Sequence, residues 1–261
     1  MNSDTAQALL DMYDYADGPL QAALLSVAFL IVAVGLIALV VSIWLSISYI
    51  KYNRRENSAG LTGEQAARKI LDDAGLQEIE VKTSGSLMFG NSYSHYFKKV
   101  RLRRRTVEKT SVASLAMGSQ KAALAVLDKE RDPDMVRRVR MVPIISFGPF
   151  AFIPLVIVGV LIDVVVFNSA GWVTIGASLL GLAFYVFSLL LSVWTLRTEK
   201  KAQERTYELL RAARMATEDE IADMHKLFRL YNVQYILDVV ISFLEVVYYA
   251  LQIVARIDSS K

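Results

Sequence analysis

The chain has 261 residues, 54% of them apolar and 21% charged, with a net charge of +3. It holds no cysteine and two histidines, His95 and His225. That composition is too apolar for disorder, excludes a disulfide scaffold, a cysteine zinc site and an iron–sulfur cluster, and obliges any metal centre to rely on carboxylates.

Residues 1–20 form an acidic leader, with Asp4, Asp11, Asp14 and Asp17 and no basic residue. Residues 21–50 carry no charge, and about twenty apolar residues suffice to cross the hydrocarbon core. A signal peptide has a basic start and a shorter apolar run. The segment therefore reads as a permanent first membrane helix.

Residues 51–141 hold 19 basic and 11 acidic residues and read as a small α+β cytoplasmic domain. Thr62 and Gln65 have capping-box spacing, which predicts a helix over Gly63–Ala74 with Gly75 as its stop. Alternation around Ile79 and Val81 predicts a strand over Glu78–Lys82. Tyr93–Phe97 and Val100–Arg104 flank Lys98-Lys99 as a hairpin would, and Val107–Asp128 reads as one Ala- and Ser-rich helix. Asp132-Pro133-Asp134 breaks the chain, and Met135–Met141 leads into the next apolar block.

Residues 142–194 read as a transmembrane hairpin. Its arms are Val142–Phe167, which contains Asp163, and the uncharged Gly171–Trp194, joined by Asn168–Ala170. Residues 195–230 read as cytoplasmic helices with a break at Met215-Ala216 and a second capping box from Thr217 to Glu220. A fourth hydrophobic helix covers 231–257, followed by a tail over 258–261; it either crosses or lies at the interface. The fold class is mainly α: a polytopic helical membrane protein with three spans, a fourth hydrophobic helix and the small α+β domain. Segments 51–141 and 195–230 contain 27 of the 29 basic residues. Basic loops stay in the cytoplasm, so the N-terminus is expected outside the inner membrane and the polar segments inside.

Three groups of residues are candidates for function. The basic run Lys98, Lys99, Arg101, Arg103, Arg104 and Arg105 suits anionic lipid head groups or simply a solvated cytoplasmic face. No aromatic-interleaved patch accompanies it, which speaks against nucleic acid. Gln234, Asp238, Ser242, Glu245, Tyr249 and Gln252 fall on one face of the fourth helix. Such a stripe suits an oligomer contact, a polar cavity of a pore or transporter, or a helix lying at the interface. His95 and His225 with one carboxylate would make the minimum set for a catalytic zinc site.

The chain also resembles a family. Gly60-Leu-Thr-Gly-Glu-Gln-Ala-Ala-Arg-Lys-Ile-Leu71 with Gly75-Leu76 is similar to the opening motif of the bacterial membrane-bound neutral zinc metallopeptidases of the YugP type. His95-Tyr96, Lys99-Val-Arg-Leu102, Arg138 with Val142-Pro143, Thr195-Leu196 with Glu199, and Tyr248-Tyr249 resemble later motifs in the same order. The resemblance implies a helix carrying H-E-x-x-H, whose two imidazoles one turn apart grip zinc and whose glutamate acts as base. It implies a carboxylate after the third span as third ligand, matched by Glu199.

Here the motif positions are Leu115, Ala116, Met117, Gly118 and Ser119. Leu115, Ala116 and Ser119 supply neither imidazole nor carboxylate, and Lys200 and Lys201 beside Glu199 disfavour a cation. The expectation is a catalytically inactive homologue without catalytic residue, metal ligand or cofactor. It would bind membrane lipids and a membrane protein partner or a second copy. An active enzyme with a relocated site built from His95, His225 and Glu199, and a pore component using the polar stripe of the fourth helix, are the alternatives.

Overall fold

A computed structural model describes the backbone of residues 18–84, 90–167 and 171–258, with side chains except those of 144–153, 167 and 256–258. Most of the expected leader, the 168–170 linker and most of the tail lie outside the described residues. The elements are α1 (Gly18–Arg54), α2 (Gly63–Asp73), β1 (Glu80–Ser84), β2 (Ser92–Ser94), β3 (Lys99–Arg103), α3 (Arg104–Glu108), α4 (Val112–Lys129), α5 (Pro133–Ile162), α6 (Trp172–Ala212) and α7 (Glu218–Asp258). The protein is mainly α with one small sheet. The chain divides into two units, Val40–Met141 with Trp194–Tyr235, and Met1–Leu39 with Val142–Val193 and Ile236–Lys261.

The second of these units is apolar. Among the described residues, α1, α6 and Glu218–Ala255 of α7 are long and apolar enough to cross a membrane. The fourth hydrophobic block thus lies in a helix of spanning length. Val142–Phe167 falls in α5 and the wider π-type turn Asp163–Phe167 that follows it. The Asp163 carboxylate accepts hydrogen bonds from the Val173 and Thr174 amides at 3.2 and 2.7 Å, and from Thr174 Oγ1 at 2.7 Å. Its charge thereby satisfies donors in the first turn of α6, which have no partner within their own helix. Gly159 lies so close to α6 that a Cβ there would sit 2.9 Å from Ala177 Cβ. Small residues let membrane helices approach in this way. The two contacts pack the end of α5 and the turn after it against the start of α6.

The other unit carries the sheet and the polar helices. Thr62 and Gln65 form the capping box at the start of α2: Gln65 N donates to Thr62 Oγ1 at 3.2 Å, and Thr62 N donates to Gln65 Oε1 at 2.9 Å. Gly75 ends the helix at φ +66°, a left-handed conformation that glycine takes without strain. β1 pairs parallel to β3, and β2 pairs antiparallel to it, in the order β1-β3-β2. The strand expected at Glu78–Lys82 lies two residues further on. The arm expected over Tyr93–Phe97 is strand only at Ser92–Ser94, because the chain turns back through Lys98 at φ 45°.

The single helix expected over Val107–Asp128 is instead two. Tertiary pairing holds the chain extended between them. Ser111 bridges to Glu56, the Asn57 amide donates to Thr110 O at 2.8 Å, and Ser111 Oγ caps α4 by accepting from Ser114 N at 3.1 Å. Two other breaks match the chain's own signals. The capping box at Thr217 forms, with Thr217 N donating to Glu220 Oε2 at 2.8 Å and Glu220 N donating to Thr217 Oγ1 at 3.3 Å. Asp132 Oδ1 caps α5 by accepting from Asp134 N and Met135 N at 2.9 and 3.2 Å.

α4 lies at the centre of this unit. Every residue from Val112 to Leu127 is buried, as expected of a helix enclosed on all sides. Its many alanines, serines and one glycine bring neighbouring helices close. Around it pack Ile70, Leu71, Leu102, Leu210, Leu227 and Phe228, all 2% exposed or less. Each such side chain contributes about 1.5–3 kcal/mol on burial.

Candidate functional site

The motif positions of α4 are sealed in this core. Leu115, Ala116 and Ser119 are each 0% exposed. Leu115 and Ala116 pack with the main apolar cluster. Ser119 Oγ is buried and has no hydrogen-bond partner among the described residues. None of the three lines a cleft of about 1170 Å³ that opens beside the helix. α4 turns Met117, Gln120 and Lys121 to that cleft instead, three and four residues apart and so on one face. α6 supplies Leu196 and Glu199 to it, α1 supplies Leu45 and Tyr49, and α7 supplies Phe228, Tyr231 and Tyr235.

Glu199 is the most heavily engaged charge in the cleft. Its Oε2 accepts from Lys121 Nζ and Gln120 Nε2, both at 3.0 Å, and its Oε1 accepts from an Arg138 guanidinium nitrogen at 2.9 Å. The Lys121, Arg138 and Glu199 side chains are 11%, 15% and 19% exposed. Burial by itself would raise the Glu199 pKa, but the Lys121 and Arg138 charges outweigh it and hold the carboxyl below its ordinary value of 4.5. Two cations on one carboxylate leave the cluster positive. Taking such charges from water costs several kcal/mol per ion, which only close pairing offsets.

This arrangement does not fit zinc. A zinc site draws on His, Cys, Asp or Glu, with three protein ligands in catalytic cases. Among the described residues, no three such side chains come together as a metal would require. Glu199 is also already bonded to an ammonium and a guanidinium.

The other candidate residues are distributed as follows. His95 Nδ1 lies 2.5 Å from Asp128 Oδ2, which also accepts from Tyr93 Oη at 2.6 Å. Burial and the Asp128 carboxylate push the Tyr93 phenol pKa far up. His225 stacks on Tyr207 with ring centroids 4.0 Å apart. His95, His225 and Glu199 thus have three separate sets of partners.

The basic run also separates. Lys99 pairs with Glu80 at 3.4 Å, Arg104 pairs with Glu108 at 2.7 Å, and the Arg101 guanidinium lies over Phe97 at 5.8 Å. Lys98 occupies the turn, while Arg103, Arg104 and Arg105 line the cleft. On the fourth helix, Glu245 Oε2 accepts from Tyr185 Oη at 3.3 Å and Asp238 is exposed. Gln234, Ser242 and Gln252 are half-buried, and Tyr249 is 37% exposed.

Sequence reasoning missed the partners of Glu199. It placed the opposing charge on Lys200 and Lys201. Lys201 Nζ goes instead to Asp132 and Asp134, at 2.8 and 2.7 Å. Arg138 was available as a signal, since it sits in a matched motif. Lys121 was available only from the helical face it shares with Met117.

No solved structure matches the chain. A curated protein from Bacillus subtilis (strain 168), "Putative membrane protease YugP", is 24% identical over 198 residues, which cover 75% of this chain and 82% of that protein. The family model described as "Putative neutral zinc metallopeptidase" matches residues 27–254. With that match over most of its length, and with three helices of spanning length among the described residues, the chain belongs to this membrane metallopeptidase-like family.

Proposed function

We propose that the chain is a catalytically inactive member of its family that works by binding. The observation that carries this reading is Glu199, the one acidic position resembling a ligand, held by Lys121, Gln120 and Arg138. The positions of the two motif histidines and the glutamate are Leu115, Ser119 and Ala116, all enclosed in the core. A general base and a metal-bound water are then both lacking. The packed unit around α4 remains, and with it a cleft able to hold a ligand. We place the protein in the bacterial inner membrane with its N-terminus outside, on the strength of the basic residues in 51–141 and 195–230. Its partners are membrane lipids and a membrane protein or second copy.

The reading is tested by incubating the purified full chain with an unfolded protein substrate, with and without added zinc. It predicts no cleavage. Cleavage that disappears in Glu199→Ala overturns it. Orientation is tested separately by single-cysteine labelling, which the cysteine-free chain allows directly. Asp11→Cys should react from outside intact cells and Gln77→Cys only after lysis; the reverse pattern overturns the topology.

A further inference from the structure

Arg103 and Arg105 are exposed on the wall of the cleft, and neither has an ion-pair partner among the described residues. Arg104 beside them is held by Glu108 at 2.7 Å. The other carboxylate in the cleft, Glu199, already carries Lys121 and Arg138. The cleft is therefore electropositive, with two guanidinium forks uncommitted. A guanidinium fork matches the oxygens of a phosphate.

Apolar and aromatic side chains of the long helices also line the cleft. Leu45, Tyr49 and Ile50 are at the end of the first uncharged block, Leu196 just follows the third, and Tyr231 and Tyr235 begin the fourth. By length and composition, these are the points where the helices of spanning length would leave a bilayer. Tyrosines and basic residues gather at that level. At about 1170 Å³ the cleft exceeds the range of roughly 300–1,000 Å³ usual for small-molecule pockets.

We propose that this cleft holds an anionic phospholipid, with its phosphate on Arg103 and Arg105 and its apolar part along Leu45, Ile50 and Tyr235. The proposal rests on the reading that the cleft binds rather than cuts. An acidic peptide would satisfy the arginines equally, but it has no use for walls that continue into spanning helices.

The test uses the purified full chain in neutral detergent, with fluorescently tagged phosphatidylglycerol as probe. Unlabelled phosphatidylglycerol should compete about tenfold better than phosphatidylcholine, and inorganic phosphate or an oligoglutamate peptide should not compete. Arg103→Gln with Arg105→Gln should weaken binding about tenfold or more, while Lys98→Gln with Arg101→Gln, an equal loss of charge outside the cleft, should leave it unchanged. Absence of binding, equal loss in the second pair, or displacement by the peptide or by free phosphate overturns the proposal. Any of these results without zinc and without cleavage leaves the non-catalytic reading standing. Zinc or cleavage overturns that reading as well.

Discussion

Gly118 of α4 lies against Gly63 of α2 so closely that a Cβ on Gly118 would sit 2.1 Å from the Gly63 carbonyl oxygen. A Cβ on Gly63 would in turn meet Thr106 O at 2.5 Å and Ser114 O at 2.6 Å. These are backbone atoms and cannot swing aside. Gly118 lies among the motif positions, at one that H-E-x-x-H leaves unspecified. Its role is helix packing. Gly118→Ala should therefore force α2 and α4 apart and cost about 3 kcal/mol, in the range of overpacked cores. Thermal unfolding in detergent checks this; an unchanged midpoint would show that the two helices separate freely.

The Glu199 cluster makes stability depend on pH. The folded carboxyl has a pKa below its ordinary value of 4.5. A lowered carboxylate pKa contributes stability that is present above the unfolded value and lost as pH falls through the folded one. The chain should lose stability on acidification below about pH 4.5, and Glu199→Gln should flatten that part of the profile. At neutral pH the same variant leaves Lys121 and Arg138 without their shared carboxylate and should cost about 3 kcal/mol. Unfolding midpoints across the acid range measure both effects.

Ser119 gives the opposite sign. Its Oγ is buried without a partner among the described residues, and an orphaned hydroxyl costs about 1–3 kcal/mol in desolvation. Ser119→Ala removes that cost and almost no volume. It should be neutral or stabilising by about 1 kcal/mol. A loss of stability in the same unfolding measurement would mean the hydroxyl is bonded after all.

The local rules of the chain carried much of the fold. The capping boxes at Thr62 and Thr217, the stop at Gly75 and the break at Asp132 follow from neighbouring residues, and each stands where its signal lies. What escaped depends on distant partners. Nothing near Lys109–Ser111 announces the interruption between α3 and α4, because Glu56 and Asn57 impose it. The parallel pairing of β1 with β3 joins strands that no local pattern links. The site shows the same division. Motif comparison located Leu115, Ala116, Ser119 and Glu199. It did not show that Lys121 and Arg138, 78 and 61 residues away, meet on Glu199.

Glu199 holds an ammonium and a guanidinium, and on the proposed reading it binds no zinc. Elemental analysis of the full chain, purified from cells grown with ample zinc, tests it most directly. Far less than one zinc per chain, unchanged by Glu199→Ala, is the expected result. One zinc per chain, lost in Glu199→Ala, would contradict it.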